Sequence, residues 1–288
     1  MKENRRVIEN KTFDEERALY HLSNTDVIGC VFAGAQDGES VLKEGRGLLV
    51  KDCAFALRYP LWHDKVFRLG NSRFEETSRA ALWYCWDGEI KNCDLNGIKA
   101  LRECTNVTID QCRVASEEFG WKCRDILITD SSVQSEYLFL DSKNIRLQRI
   151  QMKGKYSFQY IEGLEIENSV LDTKDAFWHC KNVIVKNSIV KGEYLGWYSE
   201  NLTLVNCEIE GTQPLCYCKN LRLIDCRMKH CDLAFEYSDV EADIIGSVDS
   251  VKNPLSGVIT ADEVGEIIFG DAARECTGRV MMRDAKRQ

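Results

Sequence analysis

The stretch KNVIVKNSIVKG at Lys181–Gly192 is followed nineteen residues later by ENLTLVNCEIEG at Glu200–Gly211. The pattern recurs at a constant step of nineteen, and its second position is occupied in turn by Asn106, Asp125, Asn144, Gly163, Asn182, Asn201 and Asn220. Weaker matches at Asp87 and Asp239 extend the series in both directions. A fixed period of this length indicates a repeat architecture, in which each repeat packs on its neighbours.

Apolar residues within one repeat predict two strands joined by a bend. Val183, Val185, Ser188 and Val190 alternate, skip one place and alternate again, which is typical of strands with one buried face. Asn and Asp dominate the bend column because they tolerate the left-handed backbone conformation that a sharp bend needs. The column consists of Asn71, Asn92, Asp130, Asn168, Asn187, Asn206 and Asp225, with Gln111 and Arg149 as exceptions.

A third short strand follows in each repeat, as at Ala176–Cys180. Three short strands in about nineteen residues are too little chain to fold alone, since a strand advances only about 3.3 Å per residue. Successive coils stacked about 4.8 Å apart would pair each strand with its copy in the next coil. The sequence therefore predicts an all-β fold, a three-sided, single-stranded parallel β-helix with about nineteen residues per coil and ten or eleven coils.

The repeat also suggests where this single structural domain begins and ends. The step is less regular early in the chain, where the column of small residues runs through Cys30, Cys53, Ser72 and Cys93. We assign residues 23–249 to the coils. Residues 1–22 and 250–288 do not fit the repeat and are predicted to be the N-terminal and C-terminal caps, which a solenoid needs to protect its end strands.

Three segments, two at the opening of the sequence and one near its end, resemble a known family. They are FDEERALYHL at Phe13–Leu22, NTDVIGCVFAG at Asn24–Gly34 and GEIIFGD at Gly265–Asp271. Together with the repeat, they resemble an uncharacterised bacterial family of pectin lyase-like parallel β-helix proteins, a domain of unknown function. This resemblance implies a right-handed helix, which the repeat alone does not give, and it implies no activity.

Composition and charge exclude several classes of function. A net charge of −8 argues against a nucleic-acid groove or a basic membrane-binding surface. No apolar run approaches the roughly 20 residues of a membrane span, and the polar N-terminal stretch lacks the apolar core of a secretory signal. We therefore expect a cytoplasmic protein that binds neither nucleic acid nor membrane.

Fourteen cysteines in a protein without an export signal are not expected to form a disulfide framework. Most fall in inward columns, where a small, slightly apolar side chain packs well. Cys216 and Cys218, with Cys207, Cys226 and Cys231 nearby, are the best metal candidates. No Cys-x-x-Cys pair with a matching His accompanies them, so neither a metal nor a cofactor is predicted.

The third strand decides which side chains face solvent. We expect the column with Trp178 and Trp197 to face inward, because the alternate column contains Glu103, Lys122 and Asp141, whose burial would cost several kcal/mol each. The outward side would then carry an exposed aromatic strip. Its members are Phe139, Phe158, Tyr160, Phe177, His179, Tyr198 and Tyr217.

A contiguous apolar strip on a soluble protein usually marks an interface. The strip is interpreted as a surface for self-association or a protein partner, or as a platform on which saccharide rings stack. A third reading is a face covered by one of the caps. The prediction is thus a non-catalytic binding or scaffold protein.

The alternative is a carbohydrate-active enzyme, either a polysaccharide lyase or a hydrolase. Glu103 and Asp141 would lie two coils apart, about 9.6 Å between backbones from the strand spacing, near the upper limit for an inverting acid–base pair. Lys122 lies between them and would disfavour a general acid. His179 is a weak candidate base. The connections never vary in length from Asp87 onward, which leaves no chain for the walls of a cleft.

Overall fold

The computed structural model describes residues 5–283, and every regular element in that range is a β-strand. The strands stack in parallel about nineteen residues apart and form a β-solenoid of about 15 turns. Residues 1–4 and 284–288, the outer ends of the predicted caps, lie outside the described residues. The chain divides into two compact units, Met1–Ile150 and Gln151–Gln288. The all-β parallel solenoid predicted from the repeat is confirmed.

The first unit contains eighteen strands on three sides of the coil. The long strands of one side are β1 (Arg6–Glu9), β3 (Thr25–Ile28), β5 (Arg46–Lys51), β8 (Lys65–Gly70), β11 (Trp86–Lys91), β14 (Thr105–Asp110), β16 (Arg124–Thr129) and β18 (Lys143–Gln148). The second side has β2 (Thr12–Phe13), β4 (Val31–Phe32), β6 (Ala54–Phe55), β9 (Arg73–Phe74), β12 (Asp94–Asn96), β15 (Arg113–Ala115) and β17 (Ser132–Glu136). The third has β7 (Leu61–Trp62), β10 (Leu82–Trp83) and β13 (Leu101–Arg102).

The second unit repeats two of these sides. One ladder consists of β20 (Glu162–Glu167), β22 (Lys181–Lys186), β24 (Glu200–Val205), β26 (Leu221–Lys229), β27 (Asp239–Ile244), β29 (Ser256–Ala261) and β31 (Arg279–Met282). The other has β19 (Gln151–Lys155), β21 (Val170–Lys174), β23 (Ile189–Lys191) and β25 (Glu208–Glu210), which pairs with the end of β26. A separate pair consists of β28 (Ser247–Lys252) and β30 (Glu263–Ile268).

The register of the strands reproduces the sequence repeat. Val183 lies opposite Leu202, nineteen residues on, and the inward residues Val185 and Val190 are buried. Beyond residue 239 the step changes, since Val240 lies opposite Gly257 and Val258 opposite Arg279. Because the step is no longer nineteen, the sequence repeat does not predict the last turns.

The number of turns therefore exceeds the predicted ten or eleven. The terminal segments contribute strands of their own, because β1 pairs with β3 at one end and β31 pairs with β29 at the other. The assignment of residues 1–22 and 250–288 to caps stays a prediction.

The bends form as the Asn and Asp column predicts. Asn187 and Asn206 have φ angles of 49° and 50°, and even the exceptions Gln111 and Arg149 adopt 54° and 53°. The amide of Asn206 donates to Asn187 Oδ1 at 2.9 Å, so stacked copies also bond along the ladder. A second ladder of this kind follows the motif Asn, where Asn201 donates to Asn182 at 2.8 Å.

Inward Ser and Cys residues at the bend fill the interior and also form hydrogen bonds with backbone groups. Ser188 Oγ donates to the carbonyl of Lys186 at 2.7 Å and accepts the amide N–H of Ser169 at 3.1 Å. Cys112 Sγ accepts the N–H of Cys93 in the same way at 3.4 Å. A small residue with one donor and one acceptor therefore suits this position better than an alkyl side chain, because a buried N–H without a partner is costly.

The third side differs from the prediction in the second unit, where it forms turns in place of a strand. Phe177 and His179 have φ angles of 62° and 54°, and Leu215 and Tyr217 have 64° and 61°. Left-handed residues at every second position break the period-two alternation on which the inward assignment of the tryptophans rested. The inward assignment of Trp178 and Trp197 is wrong: both are half-buried.

Candidate functional site

One column of side chains stands out on the third side of the second unit. Tyr160, His179, Tyr198 and Tyr217 each occupy the same position in one of four successive turns, and we call them the ring column. The turns are tied by backbone hydrogen bonds, such as the one from His179 N to the carbonyl of Trp197 at 3.0 Å. Their regular φ values, between 54° and 61°, point all four rings away from the interior.

The rings of the ring column stack on one another. The centroids of Tyr160 and His179 lie 5.0 Å apart with planes 8° from parallel, and those of His179 and Tyr198 lie 5.0 Å apart at 7°. Tyr198 and Tyr217 follow at 4.7 Å and 13°. Each inner ring thus has both faces covered by its neighbours. The column offers solvent the ring edges, with their hydroxyl groups and imidazole nitrogens.

Exposure of the ring column is high at its start and falls at its end. Tyr160 is 56% exposed and Tyr198 46%, and His179 is also exposed. The exposure predicted for these three residues is confirmed. Tyr217 is half-buried, and burial raises the pKa of its hydroxyl, with a further contribution from the carboxylate of Glu236. Their role in binding stays a prediction.

Two tryptophans lie beside the ring column. Trp178 and Trp197 are stacked at 5.4 Å with planes 5° from parallel, and both are half-buried. Their indole N–H groups donate to the carbonyls of Tyr194 and Gln213 at 2.7 and 2.8 Å. They line the rim of the surface and do not fill the interior as predicted, because the left-handed backbone at Phe177 turns the following residue outward.

Three phenylalanines assigned to the exposed strip are in fact core residues. Phe139 in the first unit and Phe158 in the second are completely buried, and Phe177 is 2% exposed. Phe158 and Phe177 stack at 5.1 Å inside the coil. The column that contains them accepts glycine where space is short, since a Cβ on Gly120 would lie 2.3 Å from the ring of Phe139. The sequence pattern therefore assigned the inward aromatic column to Trp178, one residue after the buried Phe177.

The first unit carries a tryptophan stack at the positions equivalent to Trp178 and Trp197. Trp62 and Trp83 lie 5.6 Å apart, Lys43 Nζ sits 4.3 Å from the Trp62 ring, and Arg102 lies 5.5 Å from Trp83. Cations at this distance from an indole ring are attracted to its face. Cationic side chains of the same chain therefore cover part of this tryptophan stack. Within residues 5–283, no lysine or arginine lies over a ring of the ring column.

The weak catalytic candidates do not assemble into a recognisable centre. Glu103 is half-buried and paired with Arg102 at 3.3 Å, whereas Asp141 is exposed. Both lie in the first unit, and His179 lies in the second. His179 is enclosed by the faces of two tyrosines, so its nitrogens are the atoms that reach solvent. A catalytic role for any of the three stays a prediction.

The cysteines are buried as small packing residues, as predicted. Thirteen of the fourteen are buried, and Cys276 is partly exposed. Burial raises the pKa of Cys216 and of Cys231 to about 12 in each case, and it raises that of Cys218 further. Metal binding requires the thiolate. Within residues 5–283, no three His, Cys, Asp or Glu side chains converge in the manner of a metal site.

One buried acid was missed by the sequence analysis. Asp64 occupies the inward column that holds Cys85 and Cys104 in the next turns, and it is fully buried. Its Oδ1 accepts the backbone N–H of Gly45, and its Oδ2 has no hydrogen-bond partner within the described part of the chain. Burial raises the pKa of Asp64 well above its usual value. Extending the Cys column back by one turn would have found it.

Two shallow depressions lie elsewhere on the described surface. One, of about 500 Å³, lies between β26, β27 and β29 and is lined by Arg222, Glu241 and Asp243 among others. The other, of about 280 Å³, lies over the bend column at Asn187 and Asn206. Both are open; the lining over the bend column is largely polar, and that of the larger depression is mixed, with Leu223, Ile224 and Val258 among its residues. No helix within residues 5–283 is long and apolar enough to cross a bilayer.

Several solved structures are distantly similar to this chain. A mutant tailspike protein of E. coli bacteriophage HK620, in complex with a hexasaccharide, is 7% identical with a TM-score of 0.38, and the match covers 97% of this chain and 59% of the tailspike. The A-module of mannuronan C-5 epimerase AlgE4 from Azotobacter vinelandii is 9% identical with a TM-score of 0.31, covering 94% and 88%. QnrB1, a plasmid-mediated fluoroquinolone resistance protein, is 12% identical with a TM-score of 0.23, covering 78% and 92%.

These likenesses are too weak to carry an argument about ligand or activity, and the chain spans less than two thirds of the tailspike's length. No curated protein sequence matches the chain. The family comparison is specific, and it confirms the resemblance drawn from the segments at Phe13–Leu22 and Gly265–Asp271. The model of a family described as a protein of unknown function (DUF3737) matches residues 6–281, so the chain belongs to this family.

Proposed function

We propose that this protein is a non-catalytic binding protein that docks a protein partner along the ring column. One observation carries the proposal. Four aromatic rings in successive turns of the second unit stack face to face and turn their edges to solvent, with centroid separations of 5.0, 5.0 and 4.7 Å.

The direction of the rings distinguishes a protein partner from a saccharide. A sugar ring stacks on the face of an aromatic side chain, and the faces of His179 and Tyr198 are covered by their neighbours in the column. What remains is a row of edges, apolar at the C–H groups and polar at the tip. Tyrosine edges of this kind are enriched where one protein packs on another.

The ring column is also rigid before anything binds. His179 and Tyr198 are held between neighbouring rings and Tyr160 stacks on His179, and their backbone is fixed by hydrogen bonds to adjacent turns. Ordering a free side chain on binding costs about 0.5–1.5 kcal/mol. A column that is already ordered avoids most of this cost, which supports a role in recognition.

The alternative of a carbohydrate-active enzyme draws less support from the geometry. Such enzymes place two carboxyl groups on either side of a substrate bond. Glu103 has the Arg102 guanidinium 3.3 Å away, an arrangement typical of a surface ion pair. Asp141 is simply exposed.

A photo-crosslinking amino acid placed at Tyr198 tests the proposal. The variant is expressed in cells at its native level and irradiated, and adducts are identified by mass spectrometry. We expect adducts to protein from position 198. The matched control is Tyr20 in the first unit, which is similarly exposed at 45% but bonded to Glu44. Equal adduct yields at the two positions, or adducts to glycans alone, would contradict the proposal.

A further inference from the structure

A column of alternating charge runs beside the ring column. Two residues after each ring comes a charged residue, so that Glu162, Lys181, Glu200 and Lys219 follow one another from turn to turn. They lie opposite one another in the parallel register of the second unit. Glu162, Lys181 and Lys219 are exposed, and Glu200 is half-buried. We call these four residues the charge column.

The order of signs in the charge column is negative, positive, negative, positive. Reversing that order exchanges the signs, so the column is complementary to its own reversed copy. If two copies met with their turns in the same order, each charge would face its like, which is unfavourable. Only the antiparallel arrangement sets opposite charges against each other along the whole column.

From this pattern we propose that the partner docked on the ring column is a second copy of this chain, related by a two-fold axis perpendicular to the solenoid axis. The proposal rests on the proposed function and names its partner. The axis passes between Lys181 and Glu200, and Lys181 of each copy faces Glu200 of the other. Glu162 then faces Lys219. This is an isologous interface, in which the same patch serves both subunits.

The ring column matches the same symmetry. The axis sets His179 against Tyr198 of the second copy and Tyr160 against Tyr217. The two columns have the same spacing, between 4.7 and 5.0 Å per turn, because both follow the stacking of strands. Ring edges of one copy can therefore meet those of the other in every turn, a fit that a partner without this period would lack.

The size of the surface sets the expected strength. Four turns at about 4.8 Å extend over about 19 Å. An interface of this length falls in the small class, below about 1,200 Å² of total buried area, where complexes are weak and transient. We expect a dissociation constant on the order of 10–100 µM.

Charge reversal tests the antiparallel arrangement. In sedimentation velocity between about 5 and 500 µM, Lys181→Glu or Glu200→Lys alone should weaken self-association about tenfold, because each places two like-charge contacts across the axis. The double variant K181E/E200K should associate like wild type, since its order of signs is again self-complementary. An equimolar mixture of the two single variants should form the heterodimer.

The matched controls reverse a neighbouring ion pair on another ladder, Lys191→Glu and Glu210→Lys, whose side chains lie 3.4 Å apart. They change the net charge equally and should leave association unchanged. Circular dichroism confirms that each variant is folded.

Each outcome decides the proposal. Restoration in the double variant and in the mixture supports it. Single variants that associate like wild type, or a mixture that fails to recover, would overturn the antiparallel register. A wild-type protein that stays monomeric throughout the range overturns self-association itself. If position 198 nevertheless crosslinks to a different protein, the proposed function stands and only its assignment to a second copy fails.

Discussion

Replacing Phe177 by alanine separates the core of the third side from its surface. Phe177 is 2% exposed and stacks on Phe158 at 5.1 Å, whereas Tyr198, in the next turn, is 46% exposed. The sequence pattern alone places both in one exposed strip. The structure places them on opposite sides of the wall, so their substitutions should differ widely in effect.

The magnitude follows from the buried area. A fully buried phenylalanine removes about 150–200 Å² from water, which at about 25 cal/mol per Å² contributes about 4–5 kcal/mol. Measured costs of Phe→Ala in cores fall at about 3–5 kcal/mol. Tyr198→Ala loses only partial burial, two stacked rings and one edge-on ring contact, so its expected cost is about 1 kcal/mol.

Guanidinium unfolding followed by circular dichroism measures the difference. We expect Phe177→Ala to lower the transition midpoint well below that of Tyr198→Ala, with Phe177→Leu between them. Solenoids need not unfold in a single step, so amide hydrogen exchange in the turns around residue 177 serves as the local readout. Equal losses for Phe177→Ala and Tyr198→Ala would refute the placement of Phe177 in the core.

Three further predictions follow from the backbone and the buried groups. Asn201→Ala removes two ladder hydrogen bonds of 2.8 Å and a residue suited to a φ of 57°, so it should lower the free energy of unfolding by about 2–3 kcal/mol. Asn201→Gly should cost less, because glycine adopts this φ without strain. Equal costs for the two variants in thermal unfolding would argue against the left-handed conformation. Because the pKa of Asp64 is raised, the folded state binds a proton more tightly than the unfolded state, so this residue's contribution to stability falls as the pH rises above about 4. The stabilisation by Asp64→Asn should therefore grow between pH 4 and pH 8. A difference in melting temperature between wild type and Asp64→Asn that stays constant over this pH range would contradict the prediction. Thiol titration of the native protein should find one fast-reacting group, Cys276, and all fourteen in denaturant; several fast thiols in the native state would show that the inward columns are open.

Local rules predict the two stranded sides well. The alternation through Val183, Val185 and Val190 fixes which face is buried, and the Asn column fixes where the backbone bends. Both signals depend on short-range sterics, since left-handed φ favours Asn and a pleated strand alternates its side chains. The step of nineteen then sets the register, because each strand pairs with its own copy in the next turn.

The prediction for the third side is wrong for a physical reason. Phe177 and His179 both have a left-handed backbone, although a bulky aromatic residue such as Phe177 does not signal this conformation. With two such residues, the side chains of residues 177 and 180 point inward and that of 179 points outward, which no period-two pattern describes. The interior contacts of Phe158 and Phe177 outweigh the local preference, and they are visible only once the turns are stacked.

The candidate site is therefore predicted in part. Tyr160, His179 and Tyr198 were found because they share a column with charged residues that exclude the interior. Trp178 and Trp197 were assigned to the wrong side, and the stacking of the rings, which decides what the surface offers a partner, follows from exact turn spacing and not from residue type. The alternating signs of the charge column were present in the sequence, but they acquire meaning only beside an exposed surface.

The ring column turns its edges to solvent because its faces are stacked, and the proton spectrum of His179 tests this most directly. The chain has four histidines, so selective labelling gives a simple spectrum. Protons above the face of an aromatic ring are shifted upfield, and His179 lies between two such faces at 5.0 Å. We predict strongly upfield imidazole protons that move downfield in Tyr160→Ala and again in Tyr198→Ala. Imidazole shifts at ordinary values, unchanged by either substitution, would contradict the stacked column.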